Sequence, residues 1–151
     1  MPEFVLERTQ LVPRPLEETF AFFADARNLE AITPPWLHFR ILELPESLEG
    51  GALLRYRISL GGIPIGWRTR IDDWRPPRSF TDRQLRGPYL LWEHTHRFRG
   101  VEGIEMYDHV RYRIAGGPLA PLVQRLLVGR LLSEIFDHRA QRLAELLVSN
   151  G

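Results

Sequence analysis

The sequence contains no cysteine and no lysine, and all 20 basic residues of the 151-residue chain are arginine. Without cysteine the chain has no thiol nucleophile, no disulfide, no iron–sulfur cluster held by thiolates and no cysteine zinc site. Without lysine it has no amine for a Schiff base, for attachment of pyridoxal phosphate or for a phosphate-binding loop. These two absences exclude several large classes of enzyme chemistry.

A strong net charge and long apolar runs are missing as well. The formal net charge is +1, which gives no reason to expect a nucleic acid as partner. No stretch approaches the ~18 consecutive apolar residues of a membrane-spanning helix, and Met1-Pro2-Glu3 does not begin a signal peptide. Because 44% of the residues are hydrophobic, the chain can bury a core. We therefore expect one domain over residues 1–151, cytoplasmic and without integral membrane contact.

The predicted elements are one strand, two short helices, six strands and one long helix. The first strand covers Phe4–Leu11, and Pro13 and Pro15 are expected to end it because proline cannot donate to a strand ladder. Helices are predicted from Pro15, from Ala26 to about Ile32, and from Pro118 to about Val148. Glycine and proline turns delimit six strands at about 37–44, 52–60, 63–74, 79–86, 89–99 and 104–115.

The long helix is predicted to be one-sided. Its apolar residues recur at the i, i+3, i+4, i+7 spacing of an amphipathic helix. Gly129 lies within this helix at a cost of about 1 kcal/mol relative to alanine. Two explanations stay open: the glycine allows close packing of a neighbouring residue, or it leaves room for a ligand. The apolar positions are Leu119, Leu122, Val123, Leu126, Leu127, Ile135, Phe136, Leu143, Leu146 and Leu147.

The predicted strands have one apolar and one polar face. Side chains alternate across a strand, so residues two apart share a face. The apolar face must be covered, and the long helix is available to cover it. The other face is interpreted as a solvated surface with paired charges. Its arginines are Arg55, Arg57, Arg68, Arg70, Arg97, Arg111 and Arg113, interleaved with Asp72, Glu93 and Glu105.

Four segments carry a resemblance to a known family: Asn28–Trp36, Asp73–Phe80, Arg86–Phe98 and Asp108–Tyr112. They resemble a bacterial branch of the START-like (SRPBCC) ligand-binding superfamily, with its polyketide cyclase/dehydratase-like proteins. The resemblance implies the α+β helix-grip fold, in which a seven-stranded antiparallel sheet wraps around the C-terminal helix and two short helices lie between strands one and two. It also implies an internal cavity for an apolar small molecule, without specifying a ligand or a reaction.

A row of polar residues is predicted on the inward face. His94 and His96 share a face of one strand, and Asp108 lies on the inward face of the next. Asp82 or Thr81 on the preceding strand would extend the row. An acid beside a histidine in an apolar cavity is a setting in which pKa values shift and proton transfer becomes feasible.

The register of this strand pair is predicted from its turn. The segment Gly100–Gly103 suits a short hairpin that sets Phe98 opposite Ile104. His94 would then lie directly opposite Asp108, with Cβ atoms ~5 Å apart. A slip by one residue would send the apolar side chains of the two strands to opposite faces.

Three interpretations of this polar row stay open. A buried network that anchors the sheet is favoured, hydrogen bonding to a ligand comes second, and acid/base catalysis comes third. In the catalytic interpretation His94 is the acid/base and Asp108 orients it. His94-x-His96 with Asp108 or Asp82 is also a weak zinc pattern, and no metal is expected because nothing else in the sequence demands one.

The cavity lining follows from the same alternation of faces. The aromatic residues Trp36, Tyr56, Trp67, Trp92, Phe98 and Tyr112 are expected to point inward. At least three of Trp67, Trp92, Met106 and Tyr112 should border one enclosed pocket. The predicted ligand-binding residues are Tyr56, Trp67, Trp92, His94, His96, Met106, Asp108 and Tyr112.

The favoured function is binding of a hydrophobic or amphipathic small molecule between the sheet and the helix, as a carrier or sensor, with no cofactor and no catalysis. The second hypothesis is an enzyme of cyclase or dehydratase type that acts on an aromatic or polyketide-like substrate. The third is a protein-interaction module that uses the arginine-rich convex face of the sheet. A homodimer is left open.

Overall fold

The computed structural model describes residues 2–100 and 102–148, except for the side chains of residues 102 and 148. The predicted seven-stranded antiparallel sheet is confirmed, with the strand order β1-β7-β6-β5-β4-β3-β2. The strands are β1 (Phe4–Pro15), β2 (Arg40–Glu43), β3 (Leu53–Leu60), β4 (Ile63–Arg75), β5 (Ser79–Arg86), β6 (Leu91–Arg99) and β7 (Glu102–Arg113). Two short helices, α1 (Leu16–Ala24) and α2 (Asn28–Ile32), lie between β1 and β2.

The long C-terminal helix is also confirmed, and it is not α-helical throughout. It consists of α3 (Ala120–Val123), a π-helical turn (Gln124–Val128), α4 (Gly129–Leu143) and a second π-helical turn (Ala144–Val148). A 3₁₀ turn at Gly117–Leu119 precedes it. Among the described helices none combines the length and the apolarity needed to cross a membrane.

The first π-helical turn changes which side chains of the long helix are covered. A π turn adds a residue to one helical turn, so the apolar stripe before it points away from the stripe after it. In α4 the buried face carries Leu132, Phe136 and Leu143. The prediction that the apolar residues of the first turns face the sheet is wrong, because four leucines among them are 50–63% exposed. They are Leu119, Leu122, Leu126 and Leu127.

Gly129 serves close packing at this π turn. A Cβ atom on Gly129 would lie 2.9 Å from both the carbonyl oxygen and the side-chain Nε2 of Gln124. The backbone N–H of Gly129 donates to that same carbonyl, the i→i+5 bond of a π helix. The glycine therefore lets the helix widen locally into the π turn.

Strand β1 continues past Pro13, which was expected to end it, and ends at Pro15, beyond the predicted Leu11. Pro13 and Pro15 are tolerated because β1 is an edge strand, where a missing N–H leaves no neighbour unpaired. The pairing of β1 with β7 also shifts register between Val12 and Pro15. Such an irregularity is where proline is accepted in sheets.

The predicted register of β6 and β7 is wrong by two residues. His96, not His94, lies opposite Asp108, and Phe98 lies opposite Met106. The turn is longer than expected, with Gly100 and Gly103 at φ values of 112° and 75°, which only glycine adopts readily; residue 101 within it lies outside the described residues. Because the slip is two residues, every side chain keeps its predicted face.

The interior is packed from both ends of the sheet. One cluster joins α1 and α2 to the strands through Phe20, Phe23 and Phe98, and a second joins α4 to Trp92 and Tyr112. Phe20 contacts Phe98 edge-on, with ring centroids 5.4 Å apart, a favourable geometry for aromatic pairs. Between the two clusters the side chains leave a space.

Candidate functional site

A cavity of about 190 Å³ lies between α4, the two short helices and the concave face of the sheet. Its walls come from α1, α2, strands β3 to β6 and α4, and none of its lining residues belongs to β1 or β7. Most of the wall is aliphatic or aromatic. The polar side chains on it are Thr33, Tyr56, Thr69, Asp82, His94, His96 and Arg139. Trp67 on the same wall adds a buried indole N–H that has no hydrogen-bond partner among the described residues.

Four of these polar side chains and one neighbour on β7 form a buried polar cluster: Asp82, His94, His96, Asp108 and Arg139. Nε2 of His94 lies 2.7 Å from Oδ1 of Asp108, and Nε2 of His96 lies 2.6 Å from Oδ2 of Asp82. The two imidazole rings stack, with centroids 3.8 Å apart and planes tilted by 26°. Each ring therefore has one carboxylate partner on a different neighbouring strand.

The predicted contact between His94 and Asp108 is present, although the two residues are not directly opposite. His94 pairs with Val110 in the ladder and reaches Asp108 diagonally. Asp82 lies directly opposite His94 on β5. The expectation that Asp82 extends the row is thus confirmed, and Thr81 instead contacts Thr95, with hydroxyl oxygens 3.1 Å apart.

Arg139 completes the cluster from the helix side. Its Nη1 lies 2.9 Å from Oδ2 of Asp108, and its guanidinium carbon lies 5.4 Å from the ring centroids of Phe23 and Phe136. The side chain is 9% exposed. An arginine in this position is an ion-pair partner and a cation held between two aromatic rings.

The sequence interpretation missed Arg139, although a signal was present. Leu132, Phe136 and Leu143 define the buried stripe of α4, and residue 139 falls on the same stripe by its spacing of three and four. An arginine on the apolar face of a helix needs a buried acid. Asp108 was the available partner.

The charges in this cluster follow from competing effects. Burial opposes the ionisation of Asp108, but Arg139 and the hydrogen bond to His94 outweigh it and hold the pKa of Asp108 well below its usual range. Burial likewise opposes the ionisation of Asp82, while His94 and His96 lower the pKa of that carboxyl overall. Both carboxyl groups are therefore ionised at neutral pH.

His96 is neutral under the same conditions. Burial, followed by the proximity of His94, lowers the pKa of His96 to about 4 in spite of the hydrogen bond to Asp82. Since ionised Asp82 has no proton to donate, Nε2 of His96 carries the hydrogen of that bond. Its Nδ1 is then an acceptor, buried and without a hydrogen-bond partner.

The tyrosine at the cavity wall stays protonated. Burial, followed by the charge of Asp82, raises the pKa of Tyr56. Its hydroxyl lies 3.3 Å from that of Thr69, and either oxygen can donate. Tyr56 therefore adds a neutral polar group to the wall near Asp82.

Five of the predicted ligand-binding residues line the cavity, and three do not. Tyr56, Trp67, Trp92, His94 and His96 lie on its wall. The other three predicted residues are on β7 and fully buried, at 1–2% exposure: Met106, Asp108 and Tyr112.

The helix explains why the β7 residues are absent from the wall. Gln10 on β1 donates to the carbonyl of Ala140 on α4, with Nε2 and oxygen 2.9 Å apart, so α4 lies close to the β1–β7 half of the sheet. The expectation that at least three of Trp67, Trp92, Met106 and Tyr112 border one pocket is wrong, since only the two tryptophans do. The alternation of side chains along a strand predicts the face of the sheet on which a residue lies. It does not predict which part of that face a helix covers.

Trp36 was also expected to point inward and is 44% exposed. It lies in a 3₁₀ turn (Pro35–Leu37) instead of a strand, so the alternation that assigned it does not apply there. Its neighbour Leu37 is buried in its place and lines the cavity.

Asp82, His94 and His96 hold three potential metal-ligand atoms within 4.8 Å of one another. An imidazole donates a lone pair in its ring plane, and zinc binds such nitrogens at about 2.0–2.1 Å. Nearly parallel rings 3.8 Å apart do not point two lone pairs at one ion. The arrangement therefore fits a hydrogen-bonded network better than a metal site.

The convex face of the sheet carries the paired charges that alternation predicts. Arg70 and Arg83 both contact Asp72, and Arg83 and Arg111 both contact Glu93. These five residues form a continuous chain of alternating sign across strands β4 to β7. The charges in such a network are paired with one another, so fewer unpaired charges remain on this face to bind a protein partner.

The fold is shared with solved structures of low sequence identity. The Zhui aromatase/cyclase of Streptomyces sp. R1128 is 20% identical, with a TM-score of 0.69, 94% of this chain and 92% of that chain being covered. The TTHA0849 protein of Thermus thermophilus is 22% identical, with a TM-score of 0.65 and 99% of both chains covered. A START superfamily protein of Mycobacterium smegmatis is 15% identical, with a TM-score of 0.66 over 94% of this chain and 98% of that one. These likenesses show the fold alone.

No curated protein sequence matches the chain. A family model does match it over residues 12–139, and its description is polyketide cyclase / dehydrase and lipid transport. That range contains both short helices, strands β2 to β7 and every residue of the polar cluster. The chain therefore belongs to the polyketide cyclase/dehydrase and lipid transport family, within the START-like superfamily.

Proposed function

We propose that the protein binds a hydrophobic or amphipathic small molecule in the cavity between the sheet and α4, as a carrier or sensor. The observation that supports this most directly is the cavity itself, which the packing of α4 against the β1–β7 half leaves open over β3 to β6. A mostly apolar pocket with a few convergent polar groups is the usual form of a small-molecule site.

The polar cluster supports binding of a molecule with one polar end. His94, His96, Asp82 and Arg139 all reach the wall of the cavity, while the rest of the wall is largely apolar. Burying these groups is costly unless they are paired, and most of them are paired with one another. The remaining capacity of the cluster is available to a ligand.

Mass spectrometry of the purified protein under native conditions tests this proposal. We expect a copurifying small molecule, or, with emptied protein, uptake of an apolar fluorescent probe with one-to-one stoichiometry. Fluorescence that stays at the level of the free probe at every protein concentration, with no bound mass, would contradict the proposal.

A second candidate is an enzyme of cyclase or dehydratase type. His94 supports it, because Asp108 holds one ring nitrogen by a hydrogen bond of 2.7 Å while the ring lines the cavity. A histidine oriented by a buried carboxylate is the arrangement of a general base. The family description names cyclases and dehydrases, and the Zhui structure is described as an aromatase/cyclase.

Turnover separates the two candidates. A short poly-β-carbonyl thioester incubated with the protein should lose one molecule of water if His94 acts as base, and His94→Gln should abolish that loss while binding is retained. A carrier would return the thioester with its mass unchanged in both proteins.

A further inference from the structure

Large apolar side chains are exposed at the end of the molecule where the long helix begins. Alternate turns of an antiparallel sheet lie at the same end, so the β3–β4 turn, the β5–β6 turn and the chain that follows β7 meet there. We call residues 57–66, 84–92 and 113–133 the helix-start end. Six of its aliphatic side chains are 50–66% exposed: Ile63, Leu90, Leu119, Leu122, Leu126 and Leu127.

Contacts join the three segments of the helix-start end. The backbone N–H of Leu90 donates to the carbonyl of Arg113, with nitrogen and oxygen 2.9 Å apart. Ile58, Tyr89 and Val123, one from each segment, pack against the same buried cluster between α4 and the sheet. The exposed aliphatic side chains therefore belong to segments that are held together.

The helix-start end carries positive charge and no acid. Its three segments contain neither Asp nor Glu, although 19 of the 151 residues of the chain are acidic. Four of its arginines are exposed and one is half-buried. None of them has an acidic partner among the residues that the structure describes, unlike the paired arginines in the middle of the convex face. The five arginines are Arg57, Arg86, Arg113, Arg125 and Arg130.

Exposed aliphatic side chains beside unpaired arginines fit the surface of an anionic membrane. Apolar side chains of a surface-bound protein enter the headgroup region to a depth of about 5–10 Å. The long arginine side chain can place its apolar stem there while its guanidinium group reaches a lipid phosphate. Anionic lipids attract such arginines, and neutral lipids do so much less.

Two other partners fit this end less well. A single-stranded nucleic acid would pair with the arginines, but its bases stack on aromatic side chains, whereas the exposed apolar side chains here are aliphatic. A second copy of the chain in a symmetric contact would present the same patch. Arginines would then face arginines, and like charges across an interface repel.

We propose that the helix-start end docks the protein on the surface of an anionic membrane. The aliphatic side chains lie in the headgroup region and the arginines lie at the lipid phosphates. This inference goes beyond ligand binding in the cavity and does not depend on it. Docking without uptake of an apolar probe would leave this inference standing, and uptake without docking would leave the cavity function standing.

Cosedimentation with lipid vesicles tests the docking. We expect the protein to bind vesicles of phosphatidylcholine with about 30% phosphatidylserine about tenfold or more tightly than vesicles of phosphatidylcholine alone. Most of that difference should disappear in about 0.5 M NaCl, which screens the charges. Equal binding to both kinds of vesicle, or binding to neither, would overturn the proposal.

A pair of arginine variants localises the docking. Arg125→Gln combined with Arg130→Gln should weaken binding to the anionic vesicles by about tenfold or more. Arg75→Gln combined with Arg97→Gln is the matched control, because both arginines are exposed and both pair with Ser79, at the opposite end of the sheet. Equal losses in the two double variants would show that only net charge matters and would overturn the assignment to this end.

Single-cysteine labels test the contact directly, since the chain has no cysteine of its own. Leu127→Cys, labelled with an environment-sensitive dye, should gain fluorescence when anionic vesicles are added, because the label enters an apolar region. Leu11→Cys is the matched control, 72% exposed on β1, and should not respond. An equal response at both positions, or a gain at Leu127→Cys on concentrating the protein without vesicles, would overturn the proposal, and the latter result would assign the surface to a second copy.

Discussion

At Asp108 a carboxylate with 2% of its surface exposed meets one guanidinium and two imidazoles. Arg139 carries a full positive charge and lies 2.9 Å from this carboxylate. Taking a carboxylate out of water is costly, and removing one partner of a buried ion pair leaves an uncompensated charge. The stability of the fold therefore depends on Arg139 through Asp108.

Replacing Arg139 by methionine tests this dependence. We expect the free energy of unfolding, measured by urea denaturation, to fall by about 3–5 kcal/mol because buried Asp108 loses its guanidinium partner and keeps only the two imidazoles. Arg130→Met, an exposed position on the same helix, should cost less than about 0.5 kcal/mol. Equal losses in the two variants would show that the buried pair contributes nothing specific.

His96 makes stability depend on pH in a defined window. Its pKa falls from 6.5 to about 4 on folding, first because of burial and then because of His94. Between these values the unfolded chain binds a proton on His96 that the folded chain does not, so stability falls as pH is lowered from about 6.5 towards 4. Asp82 and Asp108 have lowered pKa values, so their contribution is complete above the unfolded value of about 4 and is lost only below it.

Urea denaturation at pH 7 and pH 5 measures this effect within the window of His96. A decrease of roughly 2 kcal/mol at pH 5 is expected from His96. His96→Gln keeps an N–H donor for Asp82 without a titrating ring, so the decrease should be much smaller in that variant. A decrease of the same size in both proteins would assign it to other groups.

At the scale of elements, the sequence predicts the faces of the strands well and their relative positions less well. Alternation placed His94, His96 and Asp108 on the concave face correctly, because the pleat of a strand determines its faces locally. The register of β6 and β7 depends on the length of the turn at Gly100–Gly103, where a slip of two residues keeps the same faces. The β6–β7 pairing could therefore not be derived from alternation.

For the long helix, too, local sequence patterns predict some features, while others depend on tertiary packing. Its length and position are readable from apolar spacing, whereas the π-helical turn at Gln124–Val128 is not. That turn redirects the stripe, which is why Leu122 and Leu126 are exposed and Leu132 and Phe136 are buried. Arg139 could have been identified from its spacing on α4, but its partner and its place on the cavity wall required the packing of α4 against the sheet.

The convex face of the sheet gives a prediction at this scale. Arg55, Arg68 and Arg111 lie on the face opposite to the cavity, and exposed ion pairs contribute about 0–1 kcal/mol each. Replacing all three by glutamine should leave uptake of an apolar probe within about twofold of the wild type. Loss of uptake in a folded triple variant would favour the protein-interaction module over the cavity.

At the scale of the whole molecule, the cavity lowers the stability of the fold, while ligand binding requires it. A cavity of about 190 Å³ lacks the packing contacts that a filled core would have. Filling such a space is a common route to added stability, at the expense of whatever function uses it. The protein keeps this space over β3 to β6, whereas α4 contacts β1 through Gln10 and β7 through Asp108.

Ile58 offers a way to fill that space from the sheet side. It is half-buried on β3 and lines the cavity. Ile58→Trp should lower the affinity for an apolar probe by about tenfold or more, since one well-placed apolar contact is worth roughly 1–3 kcal/mol. The free energy of unfolding should be unchanged or raised, because tryptophan is accepted in strands and fills a void.

Ile63→Trp is the matched control for this substitution. Ile63 begins β4, is 66% exposed and does not line the cavity, so the same change there should leave both affinity and stability nearly unaltered. Retained uptake in Ile58→Trp would place the probe elsewhere on the protein. The exposed leucines of the long helix would then be the site to test, by Leu122→Asp and Leu126→Asp, and a loss of uptake in those variants would show that the apolar surface and not the cavity binds the probe.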